Sequence, residues 1–335
     1  MANKVPQVYA LLADGRFHSG AELARQFGVT RSAVWKLVEQ LRALGLTIHA
    51  VSGRGYRLQA VAAPLDAGKI SAALARAGRA GLAGSTGPSV EVAWSLASTN
   101  DTLLARPPPA IGSIAVLLAE HQAAGRGRRG RRWLASLGGS ICMSIAASFD
   151  ELPPDAGALS LAMGVCVRRA LRPLCRAPLK LKWPNDVLAP GGKLGGILIE
   201  LHAQSSGPAH VVVGIGVNVK LDAAAQAQVH ESGTTAADLA SLGVDPLARN
   251  EVAALLIDAC AAGLRSFASS GFASFRAEWA AADALLDQAV TVSGAGAPLN
   301  GIARGIDARG ALQLQSATGT SSVVAGDVSL RAQHR

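Results

Sequence analysis

Cysteine is scarce in this 335-residue chain, and no arrangement of it carries chemistry. Cys142, Cys166, Cys175 and Cys260 form no CxxC pair and no zinc-type spacing. They read as buried thiols of a reducing, cytoplasmic compartment, not as a disulfide framework. The seven histidines supply no HExxH, so nothing points to a metal held by protein ligands alone. Aromatic residues are only 4%, and much of the apolar half is alanine. No uninterrupted apolar run reaches the roughly eighteen residues of a membrane span. The N-terminus also lacks the charged-then-apolar pattern of a secretory signal. Neither a membrane partner nor export is expected, and the length leaves room for two or three domains with a real core.

What the chain does have is positive charge in two places. The net charge is +9; residues 1–60 carry eight basic and three acidic residues, and residues 126–132 carry five arginines. The remainder sums to −1, so the basicity belongs to two local devices and not to the surface at large.

The second device, Gly125-Arg126-Gly127-Arg128-Arg129-Gly130-Arg131-Arg132-Trp133, sets five arginines among three glycines. Glycine lets the backbone approach a ligand with its N–H groups turned inward. Arginine adds planar forks suited to phosphate and carboxylate. The loop is therefore built to hold a highly charged anion. Gly125, Gly127 and Gly130 match GxGxxG, with Asp150 twenty residues on, but a dinucleotide fold is rejected. That fingerprint opens a helix, whereas Ile141–Ile145 downstream reads as a strand. Like-charged arginines cannot pack on one another, so the loop is expected to be mobile until a ligand supplies counter-charge.

The first device, residues 5–58, has the pattern of a winged helix-turn-helix. Val8, Leu11 and Leu12 mark a first helix, and Ser19-x-x-Glu22 is a capping box for a second through Leu23 and Phe27. Gly28-Val29-Thr30 turns into a third helix with Val34, Leu37, Val38, Leu41 and Leu44 on its buried face, stopped by Gly45. Its other face offers Arg31, Ser32, Lys36 and Gln40. A wing follows, Leu46–Val51 and Tyr56–Leu58 around Ser52-Gly53-Arg54-Gly55, with Arg54 and Arg57 near phosphates. Helix, cap, wing and charge agree on DNA binding; a protein-interaction domain with a solvated basic face is the bland alternative.

Residues 60–88, rich in alanine and glycine, read as a linker with one helix starting near Ser71, and Arg106-Pro107-Pro108-Pro109 as a stiff loop. Between residues 95 and 220 further motifs follow in order. Ser98-Thr99-Asn100 stands at a strand-to-helix junction, where it suits a polar ligand head or plain helix capping. Lys182-Trp183-Pro184-Asn185-Asp186 precedes Gly192-Lys193-Leu194-Gly195-Gly196-Ile197-Leu198-Ile199-Glu200. Lys193 lacks the Ser or Thr and the upstream glycine of a P-loop, and reads as a point charge at a strand's edge aimed at an oxygen. Val211–Val219 is a strand whose Gly214 and Gly216 permit close backbone approach.

In this order the motifs resemble the bifunctional biotin–protein ligase and biotin operon repressor family over nearly the whole chain. Gly301–Asp307 and Gly310–Leu312 are similar to that family's small C-terminal barrel. The resemblance implies an α+β protein. Its parts would be a winged helix-turn-helix (1–62), a linker and lead-in (63–88), a central mixed β-sheet ligase domain with flanking helices (89–285), and an SH3-like small β-barrel (286–335). It implies an ATP-dependent ligase that makes biotinyl-5′-AMP and passes biotin to a lysine of a biotin carboxyl carrier protein. Neither step needs a side-chain nucleophile, in keeping with the absence of a Ser-His-Asp or Cys-His constellation.

By position in the family's motifs, Ser98, Thr99, Asn100 and Gln122 would bind biotin's ureido ring. Arg126, Gly127 and Arg128 would close over the ligand, with Arg126, Arg128 and Arg131 facing carboxylate and phosphate. Lys193 would neutralise charge where carboxylate meets phosphate, and Trp133 would close over the nucleotide. Asn218 would hold the adenylate or the Mg2+ that comes with ATP, no dedicated protein cage being expected. Asp186 would orient the carrier lysine or take its proton, or simply cap a turn. Arg331 would reach ATP, its alternative being a surface charge. Ordering of the loops by the adenylate would favour a homodimer, with Gly196–Leu201 pairing as edge strands and two winged helices on a palindromic operator. Ala97, where an acidic residue often precedes Ser-Thr-Asn, and Ala123, in place of a second glutamine, depart from the pattern. A sensor of biotin or its adenylate without ligase activity is the alternative reading, and a lipoate ligase of similar fold a more remote one.

Overall fold

The structure is a computed structural model that describes residues 4–59, 62–76, 88–202, 208–231, 235–294, 297–324 and 329–332. At the N-terminus α1 (Val5–Leu12), α2 (Gly20–Phe27) and α3 (Arg31–Ala43) each turn an apolar stripe inward. Val8, Leu12, Leu23, Val34, Val38 and Leu41 are fully buried in one cluster. Each such side chain contributes about 1.5–3 kcal/mol of transfer free energy. Ser19 Oγ accepts from the Glu22 N–H and Thr30 Oγ1 from the Ala33 N–H, so both expected caps form. Gly28 takes the left-handed conformation (φ 57°) that ends α2. The wing is the antiparallel pair β1 (Ile48–Val51) and β2 (Gly55–Leu58).

Next, α4 (Ala67–Arg76) starts before the expected Ser71, because Asp66 caps it through the Lys69 N–H. Its Ile70 and Leu74 join the main core. The chain continues through β3 (Ser89–Leu96), α5 (Thr99–Leu104), β4 (Ile114–Gln122), β5 (Ser140–Phe149) and α6 (Leu159–Leu171). Then come β6 (Lys180–Lys182), β7 (Asp186–Ala189), β8 (Gly192–His202), β9 (Ala209–Asn218), α7 (Ala223–Glu231), α8 (Arg249–Ser270) and α9 (Ala273–Ala282). The seven strands β3 to β9 form one mixed sheet in the order β3-β4-β5-β9-β8-β7-β6, parallel only between β3 and β4.

Because side chains alternate across a strand, this sheet has two chemically distinct faces. Ile141, Met143, Ile145, Val213, Ile215, Val217 and Ile197 point into the main core shared with α4, α6, α8 and α9. The other face carries Ala146 and Val212, on which Leu103 of α5 is seated, and the glycine rows of the site. One helix with its lead-in, Pro246–Ser270, has the length and hydropathy to cross a membrane. Its Val252, Leu256, Ile257, Cys260, Leu264 and Phe267 are instead consumed by the core.

The C-terminal unit is β10 (Ala289–Ser293), β11 (Leu299–Ile306), β12 (Leu312–Ser316), β13 (Gly319–Val323) and β14 (Ser329–Ala332). They form an antiparallel sheet in the order β13-β12-β11-β10-β14, the small SH3-like unit expected. Its Val290, Val292, Ala303, Leu312 and Leu314 join the main core, and the Trp183 indole N–H donates to the Gly310 carbonyl across the seam.

The helix-turn-helix is docked on the sheet rather than tethered beside it. Leu137 lies within its apolar cluster, and the Tyr9 ring packs on Trp94 of β3 at 5.5 Å. Tyr9 hydrogen-bonds Glu120, and burial pushes its phenol far above the ordinary value, so it remains a donor. Glu120 in turn pairs with the fully buried Arg249 and accepts from the Leu65 N–H. Arg249 also donates to the carbonyls of Ser140 and Ala63, which satisfies a guanidinium that could not otherwise be buried.

One expectation about the sheet needs correction. Gly196, the first residue of the expected edge, is not free, because Gly192–Gly196 pairs with β7 on one side and Gly195 and Gly196 also pair with β9 on the other. Among the described residues only Leu198–His202 keeps an open side. The Asn185 carbonyl receives the Ile197 N–H and the Asn185 amide donates to the Ile197 carbonyl, which closes the edge up to that point.

Candidate active site

The site begins with glycine opposite glycine. In the register of β5, β9 and β8, Cys142, Gly216 and Gly196 form one row across the sheet, and Ser144, Gly214 and Leu198 the next. With no side chains to hold them off, other groups descend onto the backbone there. A Cβ on Gly216 would lie 2.4 Å from the Trp133 ring, and one on Gly214 2.4 Å from Asn100 Oδ1. The two glycine positions thus create two adjoining subsites.

Over Gly214 sits a buried polar cluster. Ser98, Thr99 and Asn100 are almost fully buried, and Ser98 Oγ also caps α5 through the Asp101 N–H, so capping and site roles coexist. Gln122 Oε1 accepts from the Thr99 N–H at 2.8 Å. Ser144 Oγ donates to Asn100 Oδ1 at 2.5 Å and lies 2.7 Å from Thr99 Oγ1. Asn100 Nδ2 donates to Glu200 at 2.6 Å. Apart from the Glu200 carboxylate, which pairs with Arg126, the donors and acceptors converging here are neutral, which suits an uncharged polar head.

Over Gly216 and Gly196 lie Trp133 and Lys193. Lys193 Nζ is 5.7 Å from the Trp133 ring centroid and 2.5 Å from Asp186 Oδ1. The Lys193 backbone is gripped by the strand-like stretch beside it: its N–H donates to the Thr235 carbonyl and its carbonyl accepts from the Ala237 N–H. Asn218 Nδ2 donates to the carbonyls of Lys193 and Ala237. What Asn218 offers a ligand is therefore its Oδ1; its amide nitrogen is a tie that positions Lys193.

The arginine loop arches over both subsites as a folded turn. The Gly127 N–H donates to the Arg131 carbonyl and the Trp133 N–H to the Gly125 carbonyl. One of its arginines finds counter-charge within the protein and two others find backbone carbonyls. Arg126 pairs with Asp101 and, at 2.8 Å, with Glu200. Arg129 donates to the Ser293 carbonyl of the C-terminal sheet, and Arg132 to the Ala123 carbonyl. Arg128 is half-buried at the head of the turn Arg128–Gly130, and Arg131 is exposed. Arg126 is thus held by two carboxylates of the protein. The backbone of Arg331 lies opposite Thr291, two residues along β10 from Ser293; its side chain lies outside the described residues.

Three contributors were given no role from the sequence: Ser144, Glu200 and Asp101. Ser144 is the one hydroxyl in the apolar run 141–147, and Glu200 the charge that ends an apolar strand. Both signals are weak without the sheet register that turns them to the same face. Burial raises the Cys142 thiol to about 11 and that of Cys166 to about 12, so neither is a thiolate nucleophile at neutral pH. Among the described residues no three His, Cys, Asp or Glu side chains group as a metal site.

A mixed sheet with a glycine floor, a buried amide-and-hydroxyl pocket and an arginine turn above a lysine defines the biotin and lipoate ligase class, here joined to a helix-turn-helix. Three family descriptions match in succession: HTH domain over residues 6–57, Biotin/lipoate A/B protein ligase family over 95–218, and Biotin protein ligase C terminal domain over 285–331. The chain is 34% identical to the bifunctional ligase/repressor BirA of Escherichia coli (strain K12), covering 99% of each protein. It is 39% identical to the biotin–[acetyl-CoA-carboxylase] ligase of Mycobacterium tuberculosis over 73% of this chain and 90% of that one. Among solved structures, the biotin protein ligase from Aquifex aeolicus in complex with biotin and ATP aligns at a TM-score of 0.60 and 26% identity, covering 73% of this chain and 99% of the other. The chain belongs to the family of bifunctional biotin ligase/repressors.

Proposed function

We propose that this protein joins biotin to ATP as biotinyl-5′-adenylate, then transfers the biotinyl group to one lysine of a biotin carboxyl carrier protein. The observation that carries this reading is the pair of adjoining subsites: a neutral polar pocket over Gly214 and a cationic, tryptophan-walled one over the Gly196–Gly216 pair. Biotin's ureido ring matches the first, through Ser98, Thr99, Asn100, Gln122 and Ser144. Its carboxylate then points to Lys193.

In the first step a carboxylate oxygen attacks the α-phosphorus of ATP and pyrophosphate leaves. Negative charge gathers on the phosphate oxygens, where Lys193, Arg126, Arg128 and Arg131 stabilise it. In the second step the carrier amine attacks the acyl carbon and AMP departs with the bonding electrons. The amine's proton is taken by Asp186, whose carboxylate is released when Lys193 turns to the phosphate. Mg2+ would arrive with ATP to shield its phosphates. Single oxygens such as those of Asp186 and Asn218 fit an ion that keeps most of its waters and is held mainly by the nucleotide. Arg331 would approach ATP from β14.

The HTH match and the basic faces of α3 and the wing support operator binding and repression of transcription. The open side of β8 at Leu198–His202 supports a homodimer formed by strand pairing, favoured when the adenylate orders the loop. The unpaired cysteines fit a reducing cytoplasm. The test is transfer of labelled biotin to a carrier domain, with and without ATP and Mg2+. ATP-dependent labelling of one carrier lysine supports the ligase. Tight biotin binding without transfer would make the protein a sensor instead.

A further inference from the structure

On α3 the apolar stripe Val34, Val38 and Leu41 is buried, and the opposite face presents Arg31, Ser32, Lys36 and Gln40. In the middle of that polar face, one turn after Arg31, stands Trp35, 53% exposed. An indole is the largest apolar side chain, and here it stands half in water beside cations, outside the apolar cluster that the described residues of this unit form. Its exposure is not required by the fold, since the helix already has a complete buried stripe.

The wing adds an independent observation. The Phe17 ring carries two guanidiniums on it, Arg54 at 4.1 Å and Arg57 at 4.9 Å from the ring centroid. Stacking uses the flat face of a guanidinium and leaves its N–H edge free to point outward. The loop holding Phe17 is itself locked to the wing by reciprocal backbone bonds between His18 and Tyr56, and Gly55 lets them approach. Phe17 is thus a platform that aims two exposed arginines in a fixed direction.

A partner that fits must be anionic at the wing and along α3, yet offer an apolar spot to Trp35. Duplex DNA has this combination: phosphates along both groove rims, and the thymine methyl group on the major-groove floor. We infer that Trp35 reads a thymine methyl in the major groove, while Phe17 positions Arg54 and Arg57 on the flanking phosphates. The inference rests on the DNA-binding reading given above. It divides the labour within that surface: Trp35 supplies base preference, and the Phe17 platform supplies affinity without it.

The experiment uses the full-length protein with biotin and ATP. Duplexes are selected from a randomised pool, and each thymine of a selected site is then replaced by deoxyuridine, which lacks only the methyl group. In each half-site one replacement is expected to weaken binding on the order of tenfold. W35A loses about the same factor on the thymine duplex and no longer distinguishes deoxyuridine, while W35F retains the distinction. F17A lowers affinity for all duplexes and flattens the salt dependence, with the thymine preference unchanged. Matching unfolding curves and normal biotinylation by W35A show that the surface change is local. Indifference of the wild type to every deoxyuridine, or wild-type discrimination by W35A, overturns the role of Trp35 and leaves DNA binding standing. If the pool yields no bound duplex while ligation is normal, the DNA-binding reading fails and the inference with it. Trp35-dependent binding to phosphatidylserine vesicles in place of DNA overturns it as well.

Discussion

At the scale of single residues, the site depends on how closely side chains approach two glycine positions. In the proposed reaction Lys193 is the cation that serves the junction of carboxylate and α-phosphate, and its backbone is fixed by Thr235, Ala237 and Asn218. Lys193→Ala is expected to slow adenylate formation by about 100- to 1000-fold, in the range of losing one oxyanion donor. Biotin affinity changes little, because the polar pocket over Gly214 is untouched. Pyrophosphate exchange and calorimetry separate the two, and near-normal exchange would remove Lys193 from its role. Gly214→Ala acts on the other subsite. The new Cβ would lie 2.4 Å from Asn100 Oδ1, which forces the Asn100 amide off the pocket. Overpacking of this kind costs about 1–3 kcal/mol, so biotin should bind roughly ten- to a hundredfold more weakly. Unchanged calorimetric affinity would mean that Asn100 does not touch the ligand.

At the scale of elements, the arginine loop has partners within the protein. Repulsion among its arginines is relieved locally, by Asp101 and Glu200 at one end and the Ser293 carbonyl at the other. The loop can therefore be a formed lid that trades internal carboxylates for a ligand anion. Arg128 is half-buried at the head of its turn and, in the proposed reaction, faces the ligand. Arg128→Gly should raise escape of the adenylate on the order of tenfold, the worth of one charge-assisted hydrogen bond. The readout is biotin on lysines of a bystander protein such as albumin, and retained carrier selectivity would count against a lid. The same scale corrects β8. The resemblance implies Gly196–Leu201 as an edge, but pairing shows that β7 covers Gly196, Asn185 bonds Ile197, and Leu198–His202 is left open.

At the scale of the whole molecule, the C-terminal sheet shares the main core of the central sheet, whereas the helix-turn-helix keeps an apolar cluster of its own that takes in Leu137. The helix-turn-helix rests on Leu137 and Trp94, the C-terminal sheet hangs on Trp183, and the Glu120–Arg249 pair ties residues 63–65 to β4 and β5. Arg249→Met strands the buried Glu120 carboxylate, and should destabilise the protein by about 3–5 kcal/mol in urea unfolding. Adding Glu120→Leu removes the stranded charge and should recover most of that loss. If the single variant is as stable as wild type, the pair contributes no more than a surface contact.

Much of the site was legible in order along the chain. Lys193, Asp186, the Ser98–Asn100 triplet and the arginine run are all residue types whose chemistry is visible without a partner. So were α1 to α3, whose apolar spacing and caps at Ser19 and Thr30 are local signals. Ser144 and Glu200 were not legible. A serine in an apolar run acquires meaning only when register sets it opposite Gly214 and beneath Asn100. The second role of Asn218, as a tie on the Lys193 backbone, and the carboxylates that hold Arg126 likewise depend on contacts between residues 25 to 74 positions apart. Sequence alone determined the classes of element and the charged groups the chemistry requires, because propensity, capping and charge act over a few residues. Which face each strand turns to the site, which half of β8 stays open and which anion each arginine meets were decided by the tertiary structure, because strand pairing and charge pairing join residues that the chain keeps far apart.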